Sequence, residues 1–313
     1  MQRTNVDNKH LFFMNILLRP GRYVISFSIL ALLLLLQACA SIHPPAQDMR
    51  AKPASRLDEV AMTKYAQQDY TLALRTFTQA LNQNPQDARL YFNRALCHAR
   101  LDHNSRALKD YDRALRIDPQ LVPAMVNKAR LLLELNEPSQ AVSILRQARS
   151  IEPAEPRIAF NLGQALYEDN RLSQAQEAFQ AAIDLDPYFP EAFNSLGVIK
   201  LEMNQAREAI QDFSQAIALQ GDNPLYFFNR GVSHEVLKED FDQAIDDYSR
   251  ALELNHSYIP ALYNRGLVYF NLGRKKAACS DLNRACKLNG PCSRYEYLVQ
   301  HGECPNTKMP SSE

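Results

Sequence analysis

The chain has 313 residues, 46% of them hydrophobic and 22% charged, a composition of folded rather than disordered protein. Nine Gly against 17 Pro, with no Trp, argue against glycine-rich nucleotide-binding sheets and β-rich folds. The 35 basic and 35 acidic side chains cancel, but residues 1–38 carry a net of +3 and residues 39–313 a net of −3. That body has no overall attraction for a polyphosphate, so nucleic acid is not an expected partner.

The first predicted element is an export signal. Tyr23 to Leu36 is a run of fourteen uncharged residues. As a helix it would be about 21 Å long, short of the ~30 Å hydrocarbon core of a bilayer. Basic residues before it and small residues after it are the layout of a secretory signal, with Met1 or Met14 as its start. Leu36-Gln37-Ala38-Cys39 resembles the bacterial lipobox, although Gln37 is a less usual occupant of its slot. The resemblance implies cleavage before Cys39 and its diacylation, with residues 1–38 as the lipoprotein signal peptide. Ala40 after the cysteine is compatible with sorting to the outer membrane. An ordinary signal-peptidase site, giving a soluble periplasmic protein, and an uncleaved anchor are the alternatives. Residues 39–53 are polar and Pro-bearing and read as a flexible tether.

From residue 54 to about 290 one pattern repeats. Ala73, Ala107, Ala141, Ala175, Ala209, Ala244 and Ala278 are spaced by 34, with one step of 35 between Ala209 and Ala244. A second alanine follows each by seven residues, and between them sits Phe77, Tyr111, Leu145, Phe179, Phe213, Tyr248 or Leu282. Pro85, Pro119, Pro153 and Pro187 close four units at one phase, where Pro follows a helix but does not continue it. Each unit also has a small residue at its eighth position: Ala61, Ala95, Ala129, Gly163, Gly197, Gly231 and Gly266. The 35-residue step falls in LKEDFDQ, in the turn between the two helices of the sixth unit.

This pattern resembles the tetratricopeptide (TPR) family, apart from the missing Trp at the fourth position. The resemblance implies an all-α solenoid: a right-handed superhelix of seven helix-turn-helix units, each with a helix A and a helix B. Residues 291–313 would form a cap and tail. A unit cannot bury its apolar face alone, so the units must stack. Outer-membrane TPR lipoproteins that act as adaptors for cell-wall hydrolases or help assemble pilus secretins look similar.

Position 6 of helix A holds Asn93, Asn127, Asn161, Asn229 and Asn264, with Glu59 and Ser195 in the other two units. Asn is a mediocre helix former, so its recurrence calls for another reason. In TPR arrays this part of helix A lines the concave groove, where a carboxamide can pair with the backbone of an extended peptide. Position 5 adds Phe92, Phe160, Phe228 and Tyr263 as candidate pocket walls. The competing account is that the asparagines cap turns and the aromatics close the layer between helices. Basic residues at position 7 (Arg94, Arg230, Arg265) share their units with Asp110, Asp247 and Asp281, which predicts ion pairs within each unit. Lys128, facing Ile144, is the exception.

No enzyme constellation is legible, and no cofactor or metal is expected. The seven His are scattered; His98 and His234 share position 11 and read as packing residues. Cys97 reads as a small buried hydrophobe. Cys279, Cys286, Cys292 and Cys304 cluster at the end of an exported chain, which favours disulfides, with zinc as the alternative. Cys279 and Cys286 lie two helical turns apart, too far for a bond. A final antiparallel helix around residues 293–300 would bring Cys292 to Cys286 and Cys304 to Cys279. The expected function is a lipid-anchored periplasmic scaffold that grips extended segments of partner proteins. A self-associating structural protein with an empty groove is the alternative.

Overall fold

The computed structural model describes residues 56–238 and 241–305. Residues 1–38 and 39–53, expected to be a signal peptide and a tether, lie outside the described residues with Cys39, as does the chain from residue 306. Those residues form fifteen α-helices and no strand. They divide into two compact units.

The first unit, residues 56–187, contains four A–B pairs: α1 (Arg56–Ala66) with α2 (Tyr70–Gln83), α3 (Ala88–Arg100) with α4 (Asn104–Ile117), α5 (Val122–Glu134) with α6 (Pro138–Ile151), and α7 (Pro156–Glu168) with α8 (Leu172–Leu185). The second, residues 188–305, contains α9 (Pro190–Glu202) with α10 (Ala206–Leu219), α11 (Pro224–Leu237) with α12 (Phe241–Leu254), α13 (Ile259–Asn271) with α14 (Lys275–Lys287), and the short α15 (Ser293–Gln300). Within each unit a helix packs on both its sequence neighbours. Successive A helices also touch (α3 on α5, α5 on α7; α9 on α11, α11 on α13), and no two successive B helices pack as closely. Each unit therefore has its A helices on the inside of its curve.

The small residue at position 8 sets the A–B distance. Ala95 and Tyr111, like Ala61 and Phe77, are wholly buried. Gly163 approaches Phe179 more closely still: a Cβ there would lie 2.7 Å from the ring. Both flanking alanines of helix B, such as Ala107 and Ala114, are 0% exposed, so nothing larger fits at those positions.

Helix A ends with a left-handed residue at nearly the same period: Gln68, Asp102, Asn136, Asn170, Asn204, Lys238 and Gly273. Asn and Gly tolerate that conformation. Its following N–H reaches back five residues, as His103 to His98 O (2.9 Å), Glu137 to Leu132 O (2.8 Å) and Arg171 to Leu166 O (2.9 Å). This bond stops helix A and turns the chain into helix B. The 35-residue step falls between the end of α11 at Leu237 and the start of α12 at Phe241.

Candidate functional site

On the A helices of the first unit, the position-6 asparagines differ in environment. Asn93 on α3 is 1% exposed, and neither its Nδ2 nor its Oδ1 has a hydrogen-bond partner. Asn127 on α5 is half-buried and occupied locally: its Nδ2 donates to Pro123 O (2.8 Å) and its Oδ1 accepts from Arg130 Nη2 (3.1 Å). Asn161 on α7 is half-buried and makes no side-chain hydrogen bond to any described residue. In the second unit, Asn229 is 1% exposed and donates to Asn194 Oδ1 (2.8 Å), while its own Oδ1 is unpaired. Asn264 is half-buried, with its Nδ2 3.4 Å from the Tyr248 hydroxyl.

The aromatics of position 5 are turned inward. Phe92, Phe160 and Phe228 are all buried. Their rings lie 6.2 Å from Tyr111, 5.5 Å from Phe179 and 5.7 Å from Tyr248, the large helix-B residue of each pair. They close the layer between helices and do not wall open pockets. Tyr263 is half-buried and packs on the cluster around Leu282 and Leu298. The sequence pattern reads the same for both roles, because an apolar residue at this phase suits a pocket wall and a packing layer equally.

Position 7 is structural. Arg94 makes a two-point bond to Asp110 (2.7 and 2.7 Å), Arg230 to Asp247 (2.9 and 2.7 Å) and Arg265 to Asp281 (2.7 and 3.0 Å). Lys128 reaches back to Asp112 on the preceding helix B, at 2.6 Å. The fifth repeat has Leu196 at position 7, and there Lys200, one turn further on, pairs with Asp212 at 2.7 Å. Burial raises the Asp212 carboxyl above its usual range, against the pull of Lys200.

His98 is 7% exposed, with its Nε2 3.9 Å from Asp110 and its Nδ1 3.3 Å from His103 Nδ1. The two rings meet nitrogen to nitrogen, so one donates and the other accepts. Among the described residues no three His, Cys, Asp or Glu come together as a metal site. Cys97 is fully buried, and burial pushes its thiol up to about 12.

Glu235 on α11 accepts a 2.8 Å bond from the buried Tyr248 hydroxyl. Burial raises its carboxyl above the ordinary 4.5. The folded state then binds this proton more tightly than the unfolded chain, so stability rises as the pH falls from the raised value toward 4.5. Glu235→Gln keeps the acceptor and removes the charge. Its melting temperature should exceed wild type by a few degrees at pH 7.5, with the gap narrowing as the pH is lowered to 5. An unchanged gap across that range would show that Glu235 is not the titrating group.

The tetratricopeptide repeat description matches residues 61–122 and 126–190, and again 190–223 and 259–292. A TPR repeat model matches residues 235–273. A tetratricopeptide repeat protein from Parabacteroides merdae superposes with a TM-score of 0.61 at 16% identity, over 78% of this chain and 96% of that one. Pseudomonas aeruginosa pilF gives 0.58 at 20% identity, over 68% and 97%. YrrB, described as a TPR protein with an unusual peptide-binding site, gives 0.51 at 23% identity, over 60% and 97%. Period, helix pairing and matched repeats agree: the chain belongs to the tetratricopeptide repeat proteins.

Proposed function

We propose that the protein is a lipid-anchored scaffold of the bacterial outer membrane, facing the periplasm, that holds extended segments of partner proteins against the A-helix face of its first unit. The carrying observation is the hydrogen-bond inventory of that face. Asn161 is half-buried with its amide unengaged and open to a bound segment, whereas Asn93, 1% exposed, is closed off from one. A carboxamide offers one donor and one acceptor edge, the complement of a peptide unit. Asn127, Asn229 and Asn264 already bond within the protein and contribute less. The anchor follows from Leu36-Gln37-Ala38-Cys39 and the apolar run before it.

The test is Asn161→Ala. Alanine is the better helix former, so the melting temperature should hold or rise. Losing the donor and the acceptor bond to the bound segment, about 0.5–1.5 kcal/mol each, should weaken binding roughly tenfold. Binding is read by photo-cross-linking in cells from Gln164, which lies three residues beyond Asn161 on α7 and is half-buried. A fall in melting temperature with unchanged cross-linking would mean that Asn161 holds the helices together.

A further inference from the structure

The neutral composition conceals a local concentration of charge. The B helices α2, α4 and α6 carry seven basic residues against two acidic ones, Asp110 and Asp112. Both acids are already engaged, Asp110 by Arg94 and Asp112 by Lys128. On α4, Arg106, Lys109, Arg113 and Arg116 follow the 3-4-3 spacing that places them on one helix face. The stripe is about 15 Å long. Arg106, Lys109 and Arg116 are exposed, and Arg113 lies over the Tyr91 ring at 5.8 Å. None of the four is joined to a carboxylate among the described residues. Arg75 on α2, exposed, occupies the same repeat position as Lys109. Arg146 on α6, exposed and at the repeat position of Asp112, bonds only the neutral Gln174, at 2.7 Å. The next B helix, α8, carries Glu177 and Asp184 and no basic residue, so the sign reverses within the same unit.

We propose that this face docks the protein on an anionic phospholipid surface. The B helices are on the outer side of the curve, away from the peptide-holding face, so both contacts can be made at once. The choice of a membrane rests on the lipid-anchor reading: the residues from Cys39 lead directly into α1, and the basic B helices are the first three after it. A diacylated Cys39 would already hold the chain at the bilayer, and the basic face then sets how the folded unit lies against anionic headgroups.

Full-length protein on vesicles tests this. The rate at which Lys109 is acetylated, relative to Lys276, is compared on phosphatidylcholine vesicles and on vesicles with 30% phosphatidylglycerol. Protection on the order of tenfold is expected only with phosphatidylglycerol, at low salt, and is lost at high salt. Arg106→Ala, Arg113→Ala and Arg116→Ala together should abolish it, and the same three positions as lysine should keep it. Equal rates on both vesicles, or protection that survives the alanine variant, overturns the proposal. So does stronger protection by a short DNA duplex than by the lipid. The anchor is read separately, by flotation of wild type but not Cys39→Ser with phosphatidylcholine vesicles; its failure leaves the Lys109 comparison intact.

Discussion

Replacing Arg230 by Met should destabilise the second unit by about 2–3 kcal/mol, and adding Asp247→Leu should recover most of that loss. The Asp247 side chain is 7% exposed and takes two bonds from the guanidinium of an arginine whose side chain is 25% exposed. Removing the cation leaves a buried carboxylate with His234 at 3.9 Å as its nearest basic group. The figure is set below the about 3–5 kcal/mol of fully buried broken pairs because the arginine keeps some contact with water. Removing both partners deletes the desolvation cost with the attraction, which is why the double replacement should be nearly neutral. Urea unfolding of the two single variants and the double one completes the cycle. A coupling near zero would show that Arg230 acts through its other contacts, its guanidinium lying over the Phe227 ring at 5.8 Å and donating to the Ser214 hydroxyl at 3.1 Å. The exposed Arg250–Glu253 pair is the control, and Arg250→Ala should cost no more than about 0.5 kcal/mol.

The repeat was legible because it is dictated within each pair of helices. A residue at position 8 meets the residue sixteen places on, as Ala95 and Tyr111 or Gly163 and Phe179, or seventeen on in the sixth repeat with its extra residue, as Gly231 and Tyr248. The ion pairs were legible for the same reason, since Arg94 and Asp110 are also sixteen apart. Contacts that cross from one repeat to the next were not. Asn93 and Asn229 share a register with Asn161, yet two are buried and one is half-exposed. What covers them comes from neighbouring repeats, whose side chains differ. Asn229 finds Asn194, which is one position off the ladder. Lys200 escaped notice because it replaces a position-7 cation from one turn away; the signal was Asp212, in phase with Asp110 and Asp247 but facing Leu196 at position 7. The left-handed turn residues could have been found in the same way, from Asn136, Asn170 and Asn204 at steps of 34.

The basic stripe on α4 was hidden for a different reason. Total charge averages over all faces of all helices, and the acids of the first unit are spread differently from its bases. Many of them stand at helix starts, such as Asp69, Asp87 and Glu155, where their side chains accept from backbone N–H groups. The B-helix faces of the first three repeats are left to cations. A contact surface of one sign can therefore sit on a protein whose net charge is zero.

Breaking both C-terminal disulfides should cost more than any single surface change. Cys279 is bonded to Cys304 across 25 residues, and Cys286 to Cys292 across six. Loop-closure entropy in the unfolded chain assigns the first about 3–4 kcal/mol and the second about 2 kcal/mol. Together they hold α15 on α14, where Tyr295 and Leu298 cover Leu282. Leu282 and Leu298 are both 0% exposed, so releasing α15 would uncover the apolar face of the last repeat. The loss should therefore be local: α13 to α15 should open first, with repeats farther from the end retaining their protection. Hydrogen exchange of Cys279→Ser with Cys304→Ser, and of Cys286→Ser with Cys292→Ser, measures each bond separately. The first pair of changes should speed exchange in α14 and α15 more than the second, since it closes the longer loop and ties down the end of the chain. Equal exchange in both variants and wild type would mean that Tyr295 and Leu298 hold the cap by packing alone. The disulfides would then add nothing to the closure of the array.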